Sequence, residues 1–312
     1  MKVLHLSDSP LSGAPTRLSN LLSKHGGIAS RHISWARSVF GRVVPVDLVG
    51  SEMTKDGLLD LIQCADIIHY HNRWKRSRIL TELGMGPPNK PSLIQIHSPR
   101  YDTERFDEEA ESGVPLAIIA QYHVREWPEL QFIVPNVVDI TEIVPADTTP
   151  HSLPIISFAP SNCTGKGWNN KGYSVVAPVL KRMKMSQQIT FQLIVNTPYD
   201  LMMSLKSQAD IGIDEVVTGS YHLSSLEYLA LGVPCFANLD DKTERVLKDI
   251  TGCVELPWIK STPSQFAGHI KSIVAGNRWL RDKKISTARI WMEKYWNPSV
   301  LVRKYLDVYR KL

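Results

Sequence analysis

The sequence predicts an α/β protein built from two doubly wound parallel sheets. Two observations carry this: short apolar runs alternate with helical patterns along the whole chain, and the alternation restarts after a polar, proline-bearing stretch near the middle. At 312 residues the chain exceeds most single cores and suits two units of about 150 residues each. In the first half, strands are expected at 3–6, 43–48, 66–70, 92–96, 116–120 and 132–134, with helices over 16–24, 55–63 and 73–83. The segment 143–154 carries Pro145, Pro150 and Pro154 and marks the linker. Beyond it, strands are expected at 155–159, 190–195, 210–213 and 234–237, with helices over 173–184, 223–231, 242–248 and 264–275. Gly232 terminates the 223–231 helix and Pro234 forbids its continuation. A helical tail begins at Trp279, breaks at Asn297-Pro298 and resumes over 300–309. Domains are therefore expected over 1–148 and 149–296, with 297–312 as a final helix.

Composition narrows the class. A hydrophobic share of 43% with 21% charged residues is ordinary for a soluble globular chain, and no run approaches the roughly 18 apolar residues of a membrane span. The opening Met1-Lys2-Val3-Leu4-His5-Leu6-Ser7-Asp8 reads as a strand bearing an acid, not as a signal peptide, so a cytoplasmic location is expected. Cys64, Cys163, Cys235 and Cys253 show no C-x-x-C spacing, which fits reduced thiols and argues against a disulfide framework or a zinc site. A net charge of +5 favours anionic ligands such as nucleotides, lipid headgroups or nucleic acid.

The helix over 223–231 presents one carboxylate, Glu227, and aims its unpaired backbone N–H groups at the loop holding Gly219, Tyr221 and His222. With Leu223 and Ser224 opening the helix, this is an anion site by construction, and a phosphate-bearing ligand is expected there. A second cradle follows the strand at 155–159: Ser161 and Asn162 supply donors, glycines let backbone approach oxygen, and Lys166 or Lys171 supplies positive charge for a diphosphate. In the first half, His97 ends a strand where open α/β sheets place ligand groups, and its near-neutral pKa suits hydrogen bonding to a hydroxyl. Alternation puts His69 and His71 on one strand face, with Asn72 and Arg73 following; no third ligand marks a metal site, and none is expected. The loop at 9–18, with Ser12, Gly13 and Ala14, is one glycine short of a dinucleotide fingerprint. Trp279, Trp291 and Trp296 in the tail read as packing residues.

The segment Leu226-Glu227-Tyr228-Leu229-Ala230-Leu231-Gly232-Val233-Pro234 resembles the nucleotide-sugar signature of GT-B glycosyltransferases of the family 4-like type. Asp66-Ile67-Ile68-His69-Tyr70-His71 is similar to that family's D-hydrophobic-hydrophobic-H-x-H segment, Lys171-Gly172 resembles its Lys-Gly pair with Lys166-Gly167 as the alternate, and Gly13-Ala14 resembles its acceptor-side loop. The resemblance implies a GT-B fold, two facing Rossmann-like domains with the C-terminal helix crossing back onto the first. It implies transfer of a sugar from a UDP- or GDP-sugar to an acceptor hydroxyl, retaining and independent of metal, with no cofactor besides the donor. Catalytic roles would fall to His97, Lys171 and Glu227, the last holding the ribose, with the donor on Ser161, Asn162, Lys166, Gly172, Gly219, Tyr221, His222, Leu223 and Ser224. The acceptor side would comprise Ser12, Gly13, Ala14, His71, Arg100, Tyr122 and His123. The implied acceptor is a glycan, a lipid-linked saccharide reached by peripheral membrane contact, or modified DNA.

One departure stands out. The family's E-x7-E pair would place an acid where Gly219 stands, although Gly219-Ser220-Tyr221-His222 approaches a subgroup's G-x-Y-G loop. That substitution raises one rival, a non-catalytic nucleotide-sugar-binding relative. A second rival is a DNA-modifying transferase acting on a hydroxymethylated base, compatible with the basic balance and with Arg73, Lys75, Arg76 and Arg78.

Overall fold

A computed structural model describes the chain apart from residues 40–41, 99–106, 128–131, 147–150, 165–170 and 277, and gives backbone alone at 39, 42–43, 107 and 278–286. The chain divides into two compact units, one of Met1–Asp139 with Pro298–Leu312, the other of Ile140–Asn297.

The strands of the first unit are β1 (Lys2–Ser7), β2 (Ala29–Ser34), the short pair β3 (Ser38–Val39) and β4 (Arg42–Val43), β5 (Leu48–Val49), β6 (Ile67–His71), β7 (Ser92–Ile96), β8 (Leu116–Ile119) and β9 (Phe132–Val134). Seven of them form a sheet in the order β5-β2-β1-β6-β7-β8-β9, parallel at every pairing. Strand order runs outward from β1 one way and from β6 the other. The topological switch point therefore lies at the carboxyl ends of these two strands, where Ser7 and His71 are partners in register. The Pro298–Tyr309 helix belongs to this unit and lies against the Ala14–His25 helix and β9, as the sequence predicts for a returning C-terminal helix. Tyr305 anchors it by donating to the Pro135 carbonyl at 2.9 Å.

The first sheet differs from the sequence expectation at β2 and at the strand expected over 43–48. β2 was not expected, because Ala-Ser-Arg-His-Ile-Ser is too polar to read as a core strand; His32 is nonetheless fully buried, with its two ring nitrogens each 2.8 Å from a hydroxyl, of Ser7 and Thr16. Satisfied polar groups replace hydrophobicity there. The strand expected over 43–48 is interrupted at Pro45, and only Leu48–Val49 joins the sheet.

The second unit carries β10 (Ile155–Phe158), β11 (Thr190–Leu193), β12 (Ile211–Glu215), β13 (Cys235–Ala237) and β14 (Ile259–Lys260). They form a sheet in the order β11-β10-β12-β13-β14, again all parallel. Its switch point lies between β10 and β12. Ile156, Phe158, Val176, Leu180, Ile213, Phe236 and Phe266 make its core. Trp291 and Trp296 are buried in this unit, as packing residues should be. No described helix is long and apolar enough to cross a membrane.

Gly212 in β12 lets the Leu223–Ala230 helix pack closely, since a Cβ there would stand 2.5 Å from Cγ of Tyr228. Tyr228 cannot yield cheaply, being fully buried with its hydroxyl 2.7 Å from Oγ of Ser157. Gly212→Ala is therefore expected to cost about 1–3 kcal/mol of overpacking strain, read as a lower urea midpoint at unchanged slope.

Candidate functional site

In the second unit the switch point is marked by an acid. Asp214, at the carboxyl end of β12, is fully buried, and each of its oxygens is engaged by a different element. Oδ1 accepts a hydrogen bond from Lys171 Nζ at 2.8 Å, and Oδ2 accepts one from the His222 backbone N–H at 2.5 Å. Burial alone would raise this carboxyl, but Lys171 and His222 outweigh it and hold Asp214 well below the usual carboxylate range. One side chain thus ties the Lys171-Gly172 turn to the amino end of the Leu223–Ala230 helix. Both elements belong to the phosphate site read from the sequence.

The turn is specified locally. Lys171 and Gly172 adopt left-handed backbone in succession, φ +51° and +82°, and Gly172 opens the Tyr173–Met185 helix without a side-chain cap. A Cβ on Gly172 would also stand 2.8 Å from a Val216 methyl, so only glycine fits. Next to Asp214, buried Glu215 accepts backbone N–H groups from Val217 at 2.8 Å, from Thr218, and from Ser220 at 3.3 Å. That carboxylate shapes the loop leading to the helix. His222 is the N-cap, with no side-chain capping bond; the Ser225 N–H bonds the His222 carbonyl at 3.1 Å, and those of Leu223 and Ser224 remain for water or a ligand.

Glu227 has a partner that sequence reasoning missed. Lys206, on the Tyr199–Ser207 helix, is fully buried. Its Nζ donates to Glu227 Oε2 at 2.5 Å and to Ser224 Oγ at 2.9 Å, with the Ser224 carbonyl 3.5 Å away. It also lies 4.7 Å from the Tyr228 ring centroid. Burial lowers the pKa of Lys206, and Glu227 opposes that shift. The two lysines differ in what they have left. Lys206 directs its three N–H groups at three oxygens, whereas Lys171 spends one on Asp214 and has no second partner among the described residues.

Ser161 and Asn162 lie in the loop after β10, and Asn162 Oδ1 is buried with no hydrogen-bond partner among the described residues. Gly219 has φ +71° and its carbonyl accepts the Asp240 N–H at 3.0 Å. The ring of Tyr221 packs against Trp258 and Trp296, with centroids 5.1 and 6.4 Å away. Lys166 lies outside the described residues.

In the first unit the switch point is lined by imidazoles. His5 on β1 and His69 and His71 on β6 share one sheet face; His5 Nδ1 lies 3.0 Å from His71 Nε2, and His71 Nδ1 lies 2.8 Å from His97 Nε2, just past β7. Asn72, with left-handed backbone at φ +69°, accepts the His97 backbone N–H through Oδ1 at 2.7 Å and donates to Ser98 Oγ at 3.0 Å. His69 Nδ1 lies 2.8 Å from the Tyr309 hydroxyl. Arg100 lies outside the described residues. Ser12 and Gly13 form a left-handed turn before the helix that Ala14 opens, and Tyr122 stacks on buried His123 with centroids 4.2 Å apart. The basic residues Arg73, Lys75 and Arg76 precede the Arg78–Leu83 helix instead of forming one helical face, and Arg76 and Arg78 pair with Glu108 and Glu82.

His5, His69 and His71 offer ring nitrogens within 4.8 Å of one another, but the set does not fit an ion. The His69 and His71 rings stack with planes 21° apart, so the planes that hold their lone pairs share no point about 2.0–2.1 Å from both rings. Both nitrogens of His71 are already hydrogen-bonded.

Burial holds these histidines neutral: His5, His69 and His71 are well below their usual pKa, and His32 and His97 fall to about 3. The unfolded chain takes up protons below about pH 6.5 while the folded one does not. Their contribution to stability is therefore full above pH 6.5 and is lost on acidification toward 3, by up to about 1.4 kcal/mol per pH unit for each histidine. The urea midpoint is expected to fall clearly between pH 7.5 and 5.5, and a flat profile would contradict this.

No protein-family model matches the chain, and no curated protein matches it. Among solved structures it is similar to HepE from Anabaena in complex with UDP-glucose, at 12% identity over 100% of both chains and TM-score 0.63. It is also similar to a glycosyltransferase from Rickettsia africae, at 15% identity over 99% of this chain and 98% of that one, TM-score 0.60. A further likeness is to a Thermobaculum terrenum O-GlcNAc transferase, at 12% identity over 99% of this chain and 67% of that one, TM-score 0.55. At these identities the likeness is one of fold, and the fold is GT-B.

Proposed function

We propose, with the GT-B fold as premise, that this chain is a glycosyltransferase that takes its sugar from a nucleotide-sugar donor, UDP- or GDP-linked. The observation that supports this best is the convergence of the Lys171-Gly172 turn and the uncapped amino end of the Leu223–Ala230 helix on Asp214. A cation with spare donors beside free helical N–H groups is what a diphosphate requires. In the proposed reaction the acceptor hydroxyl oxygen bonds to the anomeric carbon, the bond from that carbon to the diphosphate oxygen breaks, and the hydroxyl proton passes to the departing diphosphate oxygen. Negative charge grows on the departing diphosphate, where Lys171 and the helix terminus stabilise it. Glu227, oriented by Lys206, holds the ribose. Retention at the anomeric carbon and independence of metal belong to this reading through the resemblance in sequence.

Donor binding is tested by thermal shift against UDP- and GDP-sugars. A donor at 100 times its Kd should add about 2.7 kcal/mol of stability, and no shift with any nucleotide sugar would overturn the reading. A second reading, binding without transfer, is favoured by the internal pairing of both Lys171 and Glu227 and by Gly219 at the acid position. Turnover of a donor that shifts the melting point decides between them.

A further inference from the structure

We infer that His71, in a row of imidazoles that begins at His5, acts as a positioning residue that fixes the tautomer of His97, so that His97 presents an Nδ1–H donor, not a base, to an oxygen of its ligand. The inference rests on the proposed function only for what that ligand is. Three imidazoles are joined by two hydrogen bonds, His5 Nδ1 to His71 Nε2 and His71 Nδ1 to His97 Nε2. A neutral imidazole carries one N–H. Each of the two bonds consumes one proton, so of the three available, one remains, and it must sit at an end of the row. The ends are His5 Nε2 and His97 Nδ1, since both nitrogens of His71 are occupied.

Burial chooses between the ends. His5 is fully buried and its Nε2 has no hydrogen-bond partner, so a proton there would be an orphaned donor, the rarer and costlier kind of unsatisfied group. His97 is only partly buried, and an N–H at its Nδ1 can be met by water or a ligand. The favoured arrangement has His5 donating to His71 and His71 donating to His97. It is preferred by about tenfold or more. The row stays neutral because burial disfavours a charged ring, and repulsion from neighbouring imidazoles, His69, His32 and His123 among them, adds to the effect. The backbone bond from His97 to Asn72 Oδ1 holds the ring's base in place. With Nε2 filled by the His71 proton and Nδ1 already protonated, His97 cannot accept a proton from an acceptor hydroxyl. It donates to a lone pair, whether of a sugar hydroxyl or of a phosphoryl oxygen.

The test is imidazole proton–nitrogen correlation NMR on the full, ligand-free chain labelled with nitrogen-15 at histidine. The His97 signal is the one missing from His97→Gln. It is expected as the neutral Nδ1–H tautomer in the native protein and to shift mainly to Nε2–H in His71→Phe. If His71→Phe does not fold, His5→Leu, which shortens the row by one ring and leaves the same two-ended choice, is expected to keep the Nδ1–H form. A native Nε2–H or doubly protonated His97, an unmoved tautomer in His71→Phe, or a flipped one in His5→Leu would overturn the inference. Where transfer is measurable, His97→Asn, whose amide N–H falls near the Nδ1 position, should retain at least about tenfold more kcat than His97→Gln, whose amide falls near Nε2; equal values would contradict a donor at Nδ1. Titration of UDP and of free sugar, followed at the same signal, tells a phosphoryl from a hydroxyl partner. Absence of nucleotide-sugar binding would sink the proposed function while leaving the tautomer result to stand or fall alone.

Discussion

Lys206→Ala is expected to destabilise the chain by about 3–5 kcal/mol, because it leaves Glu227 as a buried carboxylate without its counter-charge. Lys206 is completely enclosed and Glu227 nearly so, so water cannot replace the lost partner. Glu227→Ala should cost a similar amount for the mirror reason, which makes it an unclean probe of activity. The double variant Lys206→Met with Glu227→Leu removes both charges and is expected to recover most of the loss, since replacing a buried pair by apolar groups is often neutral. Urea unfolding of Lys206→Met, of Glu227→Leu and of the double variant closes a cycle that gives the interaction energy directly. Equal losses that simply add would show that the pair contributes nothing as a pair.

Lys171→Met carries the second large effect. Transfer is expected to fall by about two to three orders of magnitude, the scale of losing one preorganised group that stabilises developing charge. The variant also reverses a pH dependence. In the native chain Asp214 is held low, so its contribution to stability is full above the unfolded value near pH 3.9 and is lost as the pH falls toward the folded one. Without Lys171, burial, the largest influence on this carboxyl, should raise Asp214 above 3.9, and the variant then gains stability on acidification relative to the native chain, while the histidines lower both alike. Chemical unfolding of the two between pH 3.5 and 7 reads the sign of that difference. A variant whose acid limb tracks the native one would show that Lys171 is not what holds Asp214 ionised.

How much of this was legible in the sequence depends on the physics each part uses. The strands with continuous apolar runs, such as Ser92–Ile96 and Leu116–Ile119, and helices with clear stops, such as Leu223–Ala230 before Gly232, follow from periodicity and punctuation. β2 does not, because its buried His32 is reconciled with the interior by hydrogen bonds to Ser7 and Thr16, far away in sequence. The Lys171-Gly172 turn could be read because a lysine beside a glycine before a helix has local meaning. Lys206 could not, since a lysine late in a helix is ordinarily exposed and only the tertiary fold supplies Glu227 and Ser224. The Tyr199–Ser207 helix itself was not expected, although Pro198 stands at its N-cap and Asp200 in its first turn. Asp214 follows the strand expected over 210–213, but its place between two elements appears only once β10 and β12 are neighbours. His5 shows nothing unusual in sequence; it gains meaning by lying opposite His69 in register.

The most direct measurement is backbone amide NMR during titration with UDP and GDP. The account predicts that one nucleoside diphosphate shifts the amides of residues 171–173 and 222–225 together, saturating at a single Kd, with the same residues silent in Lys171→Met. Shifts confined to other residues, or none with either nucleotide at millimolar concentration, would contradict the claim that the Asp214-centred turn and helix end hold a diphosphate.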